Sequence, residues 1–490
     1  MNKDILAAER AAEWRETLRK GMKTKERTDI PRVHMNELDP AIRIKGNAEV
    51  NLGLTLEQAM NEAKRCLDCP DPTCMQGCPV EINIPKFIKN IERGEILDAA
   101  KALKETSALP AVCGRVCPQE KQCESKCIYT QKLKKESVAI GYLERFAADY
   151  ERESGNIAVP ELQPSNGIKI AVIGSGPAGL SFAGDMAKMG YDVTVFEALH
   201  EVGGVLKYGI PEFRLPNSIV DVEVNILLQM GVKFITDCIV GKTISYDDLH
   251  EMEFNGIFVG SGAGLPRFMG IPGENLIGVM SSNEYLTRVN LMDAANPESD
   301  TPVLLGKNVA IIGGGNTAMD SVRTARRLGA NRAMIVYRRS EEEMPARIEE
   351  VKHAKEEGIE FLTLHNPIAY FGDEKGRVKR MILQKMELGE PDASGRRSPV
   401  EIKGATEEIE VDEVVVSVGV SPNPLIPSSI KGLQVSKWGT IIVNQENMQS
   451  DLPDVFAGGD IVRGGATVIL AMGDGRRAAA SMDQYLKSKA

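Results

Sequence analysis

IKIAVIGSGPAGLSFAGDMAKMGYDVTVFEA, residues 168–198, reads as an apolar strand, a glycine turn, a helix and a second strand. Gly174, Gly176 and Gly179 form G-x-G-x-x-G at the strand–helix junction, with Pro177 and Ala178 before the last glycine. The first glycine permits the tight turn, the second lets a diphosphate approach the backbone, and the third lets the helix pack closely on the strand. Free N–H groups and the positive end of the helix dipole then face the anion. Glu197 ends the second strand, where a carboxylate accepts bonds from ribose hydroxyls. Together these features specify a dinucleotide-binding βαβ unit.

A second copy runs KNVAIIGGGNTAMDSVRTARRLGANRAMIVYRR (307–339). Its turn is G-x-G-x-x-A, from Gly313 and Gly315 through Asn316 and Thr317 to Ala318. No acid ends its second strand; Tyr337, Arg338 and Arg339 stand there instead. An acid repels a 2′-phosphate, whereas guanidiniums bind it through charge-assisted hydrogen bonds, so this unit selects NADP(H) over NAD(H). One acid-ended and one arginine-ended turn fit FAD in the first unit and NADPH in the second. Gly203 and Gly204 after the first acid, and Gly458, Gly459 and Asp460 near the C-terminus, extend the flavin reading. The latter run would bring a helix start to the flavin's ribityl end and split the FAD domain around the NADPH domain.

Outside these units lies a cysteine field. Eight of nine cysteines fall between Cys66 and Cys127, as C-x2-C-x4-C-x3-C (Cys66, Cys69, Cys74, Cys78) and C-x3-C-x5-C-x3-C (Cys113, Cys117, Cys123, Cys127). In a reducing compartment they read as metal ligands, enough for two four-coordinate centres. Zinc is the bland alternative, but zinc sites usually repeat C-x2-C and only one such pair occurs. Cys78 precedes Pro79, and a terminal Cys-Pro in two-cluster ferredoxins serves the other cluster, so the quartets are expected to interleave. Cys238 reads as a small buried hydrophobe. No C-x-x-C occurs in the flavin or NADPH regions, against a disulfide reductase such as thioredoxin reductase. No histidine has ligand or triad spacing.

The chain has 490 residues, about three domains' worth, and its 42% hydrophobic and 26% charged content is that of a globular protein. No run approaches the ~18 apolar residues of a membrane span, and the start lacks a signal peptide's apolar region; a cytoplasmic location is expected. A net charge of −10 argues against nucleic acid. Residues 1–150 carry 25 Lys and Arg against 23 Asp and Glu, the remainder 34 against 46. The offset suggests a separate N-terminal domain with its own docking face. Helices are expected at 3–20, from Thr55 to Arg65, at 85–102 and at 138–153, a linker at 155–167, and strands at 377–388, 408–418 and 441–443.

The two dinucleotide units, VFEALHEVGGVLKYGIPEFRLP (195–216) and the eight cysteines together resemble the small subunit of NADPH-dependent glutamate synthase over nearly the whole chain. The N-terminal part of dihydropyrimidine dehydrogenase looks similar too. SSNEYLTRVNLM (281–292) and KMELGEPDASGRR (385–397) look closest to a branch that includes the large subunit of electron-bifurcating NADH-dependent ferredoxin:NADP oxidoreductase. The resemblance implies two [4Fe–4S] clusters, one on Cys66, Cys69, Cys74 and Cys127, the other on Cys78, Cys113, Cys117 and Cys123. In the bifurcating branch a carboxylate at the position of Glu120 would replace Cys113. It also implies flavin contacts at Arg214, Val240 and the run from Asp460 through Thr467 to Val468, and NADPH contacts at Gly315 to Ala318, Arg338 and Ser417 to Gly419.

The expected fold is α/β with an N-terminal all-α iron–sulfur domain (1–155) and two Rossmann-like domains. FAD-binding parts at 168–295 and 426–490 enclose the NADPH domain at 296–425. The expected function is electron transfer: NADPH hydride to FAD, then single electrons through two clusters to a partner. Hydride transfer depends on stacking nicotinamide over flavin, so no acid–base residue is nominated. The partner is a glutamate synthase large subunit or, alternatively, a small [2Fe–2S] flavoprotein of a bifurcating enzyme; a hetero-oligomer is expected. A non-catalytic zinc-bearing interaction module is the remote alternative.

Overall fold

A computed structural model describes residues 3–296, 298–393 and 395–489. Two parallel five-stranded sheets form its body. The first has the order Val455–Ala457, Phe254–Val259, Lys169–Ile173, Asp192–Phe196, Lys233–Ile235. The second has the order Glu360–Thr363, Arg332–Tyr337, Asn308–Ile312, Glu413–Val416, Val279–Ser281. In each, the strand before the glycine turn is central, which places the turn at the carboxyl end of the sheet where α/β folds bind ligands. The second sheet is inserted into the first, because Val455–Ala457 returns to pair with Phe254–Val259.

Several sequence expectations move. Val279–Ser281 pairs with Glu413–Val416, so the chain enters the second sheet before residue 279 and not at the expected boundary of 296. The strands expected at 377–388 and 408–418 belong to a longer antiparallel hairpin, Val378–Pro391 with Arg397–Glu410, followed by the separate parallel strand Glu413–Val416. At 441–443 only the bridge of Ile441 to Val435 forms. Thr55 caps Leu56–Lys64 with Gln58 reciprocating, as the pattern predicts. The helix expected at 85–102 is two, Ile84–Glu92 and Ile96–Lys104, broken where Gly94 turns left-handed at φ +84°. The helix expected at 3–20 is also two, Lys3–Arg10 and Glu13–Gly21, with Ala12 extended between them.

The N-terminal module is not a separate body. Phe87, Ile91, Leu103 and Val112 share one continuous apolar core with Val172, Phe182, Phe258 and Met472 of the first sheet domain. The second sheet has its own cores on its two faces. Its joint to the rest is polar. Arg43 bonds Glu356 at 2.8 Å and Glu357 at 2.9 Å; Arg323 bonds Glu350 and Glu357; Arg327 bonds Glu357 at 2.7 Å. Arg214 completes the network against Asp320 and Glu350, and the Phe213 ring lies under Arg323 and Arg327. Nearby, Glu37, Glu349 and His353 gather across the same joint, but Lys352 and Arg347 already pair with the two carboxylates, so we read them as part of the seam.

Candidate redox site

At the first glycine turn Gly174 adopts φ +98°, and a side chain on Gly179 would collide with the Gly174 carbonyl oxygen. Gly176 differs: beyond its chain neighbours, no atom of the described residues lies within 4 Å of the place a Cβ would take. The turn is tight and close-packed except where a diphosphate needs room, which fits the group the pattern implies. Glu197 is buried; its Oε2 accepts from the Ser175 N–H at 2.9 Å, its Oε1 from the Leu199 N–H at 2.9 Å. A Cβ on Gly204 would stand 2.9 Å from the Gly176 Cα, and one on Gly459 3.0 Å from the Ala178 Cβ. The loops expected to extend the site therefore lie on the turn itself. Val240, buried, follows the strand beside Glu197 and bridges to Ile244.

Pro177 is the first residue of Pro177–Lys188, and Val468–Lys487 packs against that helix. Thr467 caps the latter by accepting from the Leu470 N–H at 3.4 Å. Asp460, at the start of Asp460–Arg463, is pushed up to about 6 by burial and by Asp474. Asp474, which the sequence reading passed over, accepts from the Gly459 N–H at 3.1 Å and pairs with Arg463 at 2.7 Å, holding the loop on the helix. Arg214 departs from expectation. Its Nη1 donates to Asp320 and its Nε lies 3.4 Å from Glu350, in the acid-rich seam.

At the second turn Gly313 has φ +142° and packs on the Ser417 carbonyl, and Ala318 is fully buried. Asn316 accepts from the Arg347 N–H at 2.9 Å, and Thr317 follows it in the first turn of Asn316–Arg327. The two arginines divide. Arg338 is exposed and bonds no described residue, whereas Arg339 is buried, donating to the Arg397 carbonyl at 2.8 Å and to Asp392 at 2.6 Å. Arg339 is thus a strut to the long hairpin, and the guanidinium left for an anion is that of Arg338. Gly315 keeps its front clear, its nearest neighbour being Pro345 at 4.0 Å.

The cysteines are joined by close backbone approaches. Thr73 donates to the Lys126 carbonyl at 2.6 Å, bringing Cys74 to Cys127. A Cβ on Gly77 would stand 2.6 Å from the Gln122 oxygen, so Cys78 comes up to Cys123. Burial pushes the Cys66 and Cys78 thiols up to about 12. The repulsions between thiolates divide the field in two: Cys74 feels Cys66, Cys127 and Cys69, whereas Cys123 feels Cys78 and Cys117. Cys113 is held above its ordinary range by its bond to Cys117 and by burial. Buried thiols of this kind ionise only around a cationic centre, which fits metal ligation. Glu120 turns elsewhere: its Oε1 accepts from the Ile348 N–H at 3.3 Å and its Oε2 lies 3.9 Å from Arg347.

The second thiol group abuts the first sheet domain. Cys113 Sγ lies 3.5 Å from Met472 Sδ, and a Cβ on Gly473 would stand 2.8 Å from the Pro79 oxygen. Arg347, also missed in the sequence, ties the Cys113 helix to the second turn by donating to the Arg115 carbonyl at 2.6 Å and to Gln119 at 3.0 Å.

Residues 43–156 match the model of dihydropyrimidine dehydrogenase domain II, 4Fe-4S cluster, and residues 168–475 that of pyridine nucleotide-disulphide oxidoreductase. The NADPH glutamate synthase small chain of Azospirillum brasilense is 35% identical over 90% of this chain and 92% of its own length. The chain belongs to that family. The Escherichia coli small chain is also 35% identical, over 88% of this chain and 92% of its own. The NADPH-Fe(3+) oxidoreductase subunit beta of Geobacter sulfurreducens is equally identical over 86% of this chain and 65% of its own. Among solved structures, FprA of Mycobacterium tuberculosis in complex with NADPH has a TM-score of 0.56 at 21% identity, over 66% of this chain and 85% of that one, a likeness of fold. The family member described here is an iron–sulfur flavoprotein oxidoreductase. No helix among its described residues is long and apolar enough to cross a membrane.

Proposed function

We propose that this chain is the NADPH-oxidising electron-transfer subunit of a glutamate synthase, passing electrons through two [4Fe–4S] centres to a large partner that makes two glutamates from glutamine and 2-oxoglutarate in the cytoplasm. The observation that carries the reading is the contact of Cys113 with Met472. Met472, which Cys113 touches, lies about one helical turn from Thr467 and Val468, at the start of the helix that covers the first glycine turn. When bound, FAD converts the hydride of NADPH into single electrons and the iron–sulfur centres carry them on.

The chain's own groups supply binding and orientation. Gly174 to Gly179 and Gly459 to Val468 cradle the flavin's diphosphate and ribityl chain, and Glu197 its adenosine ribose. Gly313 to Ala318 take the NADPH diphosphate, and Arg338 the 2′-phosphate. Cys66, Cys69, Cys74 and Cys127 hold one centre and the other four cysteines its neighbour. The turn of Glu120 toward Arg347 and Ile348 supports Cys113 as the fourth ligand, and so supports this reading over the bifurcating one.

Anaerobic purification tests the proposal: eight iron, eight acid-labile sulfide and one FAD per chain are expected, with glutamine-dependent NADPH oxidation once a large partner is added. A colourless preparation with zinc alone overturns it, and ferredoxin-dependent NADP reduction coupled to NADH moves it to the bifurcating enzyme. Arg338→Ala is expected to weaken NADPH binding ten- to a hundredfold, the loss of one charge-assisted contact of about 1.5–3 kcal/mol, and to leave NADH unchanged. Equal losses for both nucleotides, measured by titration of the flavoprotein, would sink the assignment of Arg338.

A further inference from the structure

Asp68 lies between Cys66 and Cys69, fully buried and with φ +51°. Three arginines of the N-terminal arm close on it. Arg15 pairs with its carboxylate, Arg19 donates to Oδ2 at 2.5 Å, and Arg10 donates to its carbonyl oxygen at 2.7 Å. Arg19 also donates to the Arg10 carbonyl at 2.9 Å, joining the two short helices of the arm. The break at Ala12, unexplained by the sequence pattern, lets both helices aim at one residue. Beyond them the buried Lys89 donates to the Cys66 carbonyl, and shares Glu92 with Arg27. Two guanidiniums pair with the Asp68 carboxylate and a third bonds its carbonyl oxygen, and two cations face one carboxylate at Glu92. A positive excess therefore surrounds the loop of Cys66 to Cys69. The arm that supplies it precedes residue 43, where the match to the iron–sulfur family model begins.

We propose that the N-terminal arm tunes the centre held by Cys66, Cys69, Cys74 and Cys127: Arg10, Arg15 and Arg19, gathered on Asp68, raise its reduction potential above that of the centre held by Cys78, Cys113, Cys117 and Cys123. The inference rests on the two-centre reading above. One-electron reduction of such a centre adds one negative charge, which fixed cations stabilise. Because Arg15 and Asp68 are buried, salt screens them little. With that ordering, Cys66, Cys69, Cys74 and Cys127 would hold the low-energy end of the chain's internal path, and the cysteines beside Met472 its high-energy end.

The test is an EPR-monitored potentiometric titration of the full chain with both centres loaded. In Arg15→Gln/Arg19→Gln, the ratio of reduced to oxidised centre beneath the arm is expected to fall at least tenfold at a fixed potential, equivalent to about 59 mV for one electron. Asp68→Asn removes the negative charge at a left-handed position that asparagine tolerates, so the same ratio is expected to rise. Arg15→Lys keeps the charge and the potential. Opposite signs separate a charge effect from loosening, since loosening admits water and moves both variants the same way. If the double variant fails to load iron, Arg19→Gln alone, whose side chain is 20% exposed, carries the same expectation of sign. Equal shifts at both centres, shifts of one sign in all variants, or no shift would overturn the proposal. Absence of two iron–sulfur signals in the unsubstituted chain would instead overturn the two-centre reading, and this inference with it.

Discussion

Replacing Cys127 with serine is expected to halve the iron and acid-labile sulfide of the anaerobically purified chain while flavin content stays the same. The reason is the path of the backbone. The Thr73 hydroxyl holds the Lys126 carbonyl, and Gly77 lies against Gln122 and Cys123, so the first cysteine run lies along the C-terminal half of the second. On the two-centre reading proposed above, Cys127 would complete the site of Cys66, Cys69 and Cys74, and Cys78 that of Cys113, Cys117 and Cys123. The double variant Cys66→Ser/Cys127→Ser separates this arrangement from one centre per run. Interleaved ligation predicts that half the iron remains, because both substitutions strike the same centre. Ligation run by run predicts loss of nearly all of it. Cys78→Ser should empty the complementary centre, leaving the signal that Cys127→Ser removes.

The second large effect lies at the seam between the sheet domains. Arg323→Ala should destabilise the chain by about 3–5 kcal/mol, because it removes the buried cation that Glu350 and Glu357 share and leaves only Arg214 to the first and Arg43 and Arg327 to the second. Arg323 is fully buried, bonds both acids and lies 4.7 Å over the Phe213 ring. Urea unfolding followed by release of bound nucleotide and flavin would measure the loss; a change below about 1 kcal/mol would show the network to be replaceable. Burial alone would raise Glu350 and Glu357, but Arg214 and Arg323 around the first, and Arg327 and Arg323 around the second, hold both at about 2. Folded values below the ordinary 4.5 mean that their contribution is whole above pH 4.5 and is lost as pH falls from there toward 2. Asp320 works the other way, since burial raises it to about 6, and its cost grows as pH rises from about 4 to 6. Stability of this joint is therefore expected to peak near pH 4.5 and to fall from there toward pH 6, and a monotonic rise to pH 8 would contradict the burial of Asp320.

Local pattern made much of the molecule legible. Both glycine turns, Glu197 and the cap at Thr55 depend on neighbours a few residues away, so spacing alone carries their chemistry. The return of the C-terminal segment was also readable, because Gly458 to Asp460 resembles a phosphate-facing helix start that needs a first turn to serve. Arg338 and Arg339 were indistinguishable in the strand that they end. Their division into an exposed guanidinium and a buried strut depends on Asp392 and Arg397, which only the hairpin's fold brings beside Arg339.

What the sequence determined by itself is the inventory: two dinucleotide turns of opposite charge preference and eight thiols in two runs. Strand alternation and turn glycines are short-range requirements, and each leaves its mark within one window. Tertiary structure decided the partnerships. Which thiols face one another, why Arg214 pairs with Asp320, and why the arm breaks at Ala12 to bring three arginines to Asp68 are set by contacts between residues tens to hundreds of positions apart. Such contacts depend on how elements pack, and a charged residue's sign and spacing do not reveal the burial that selects its partner.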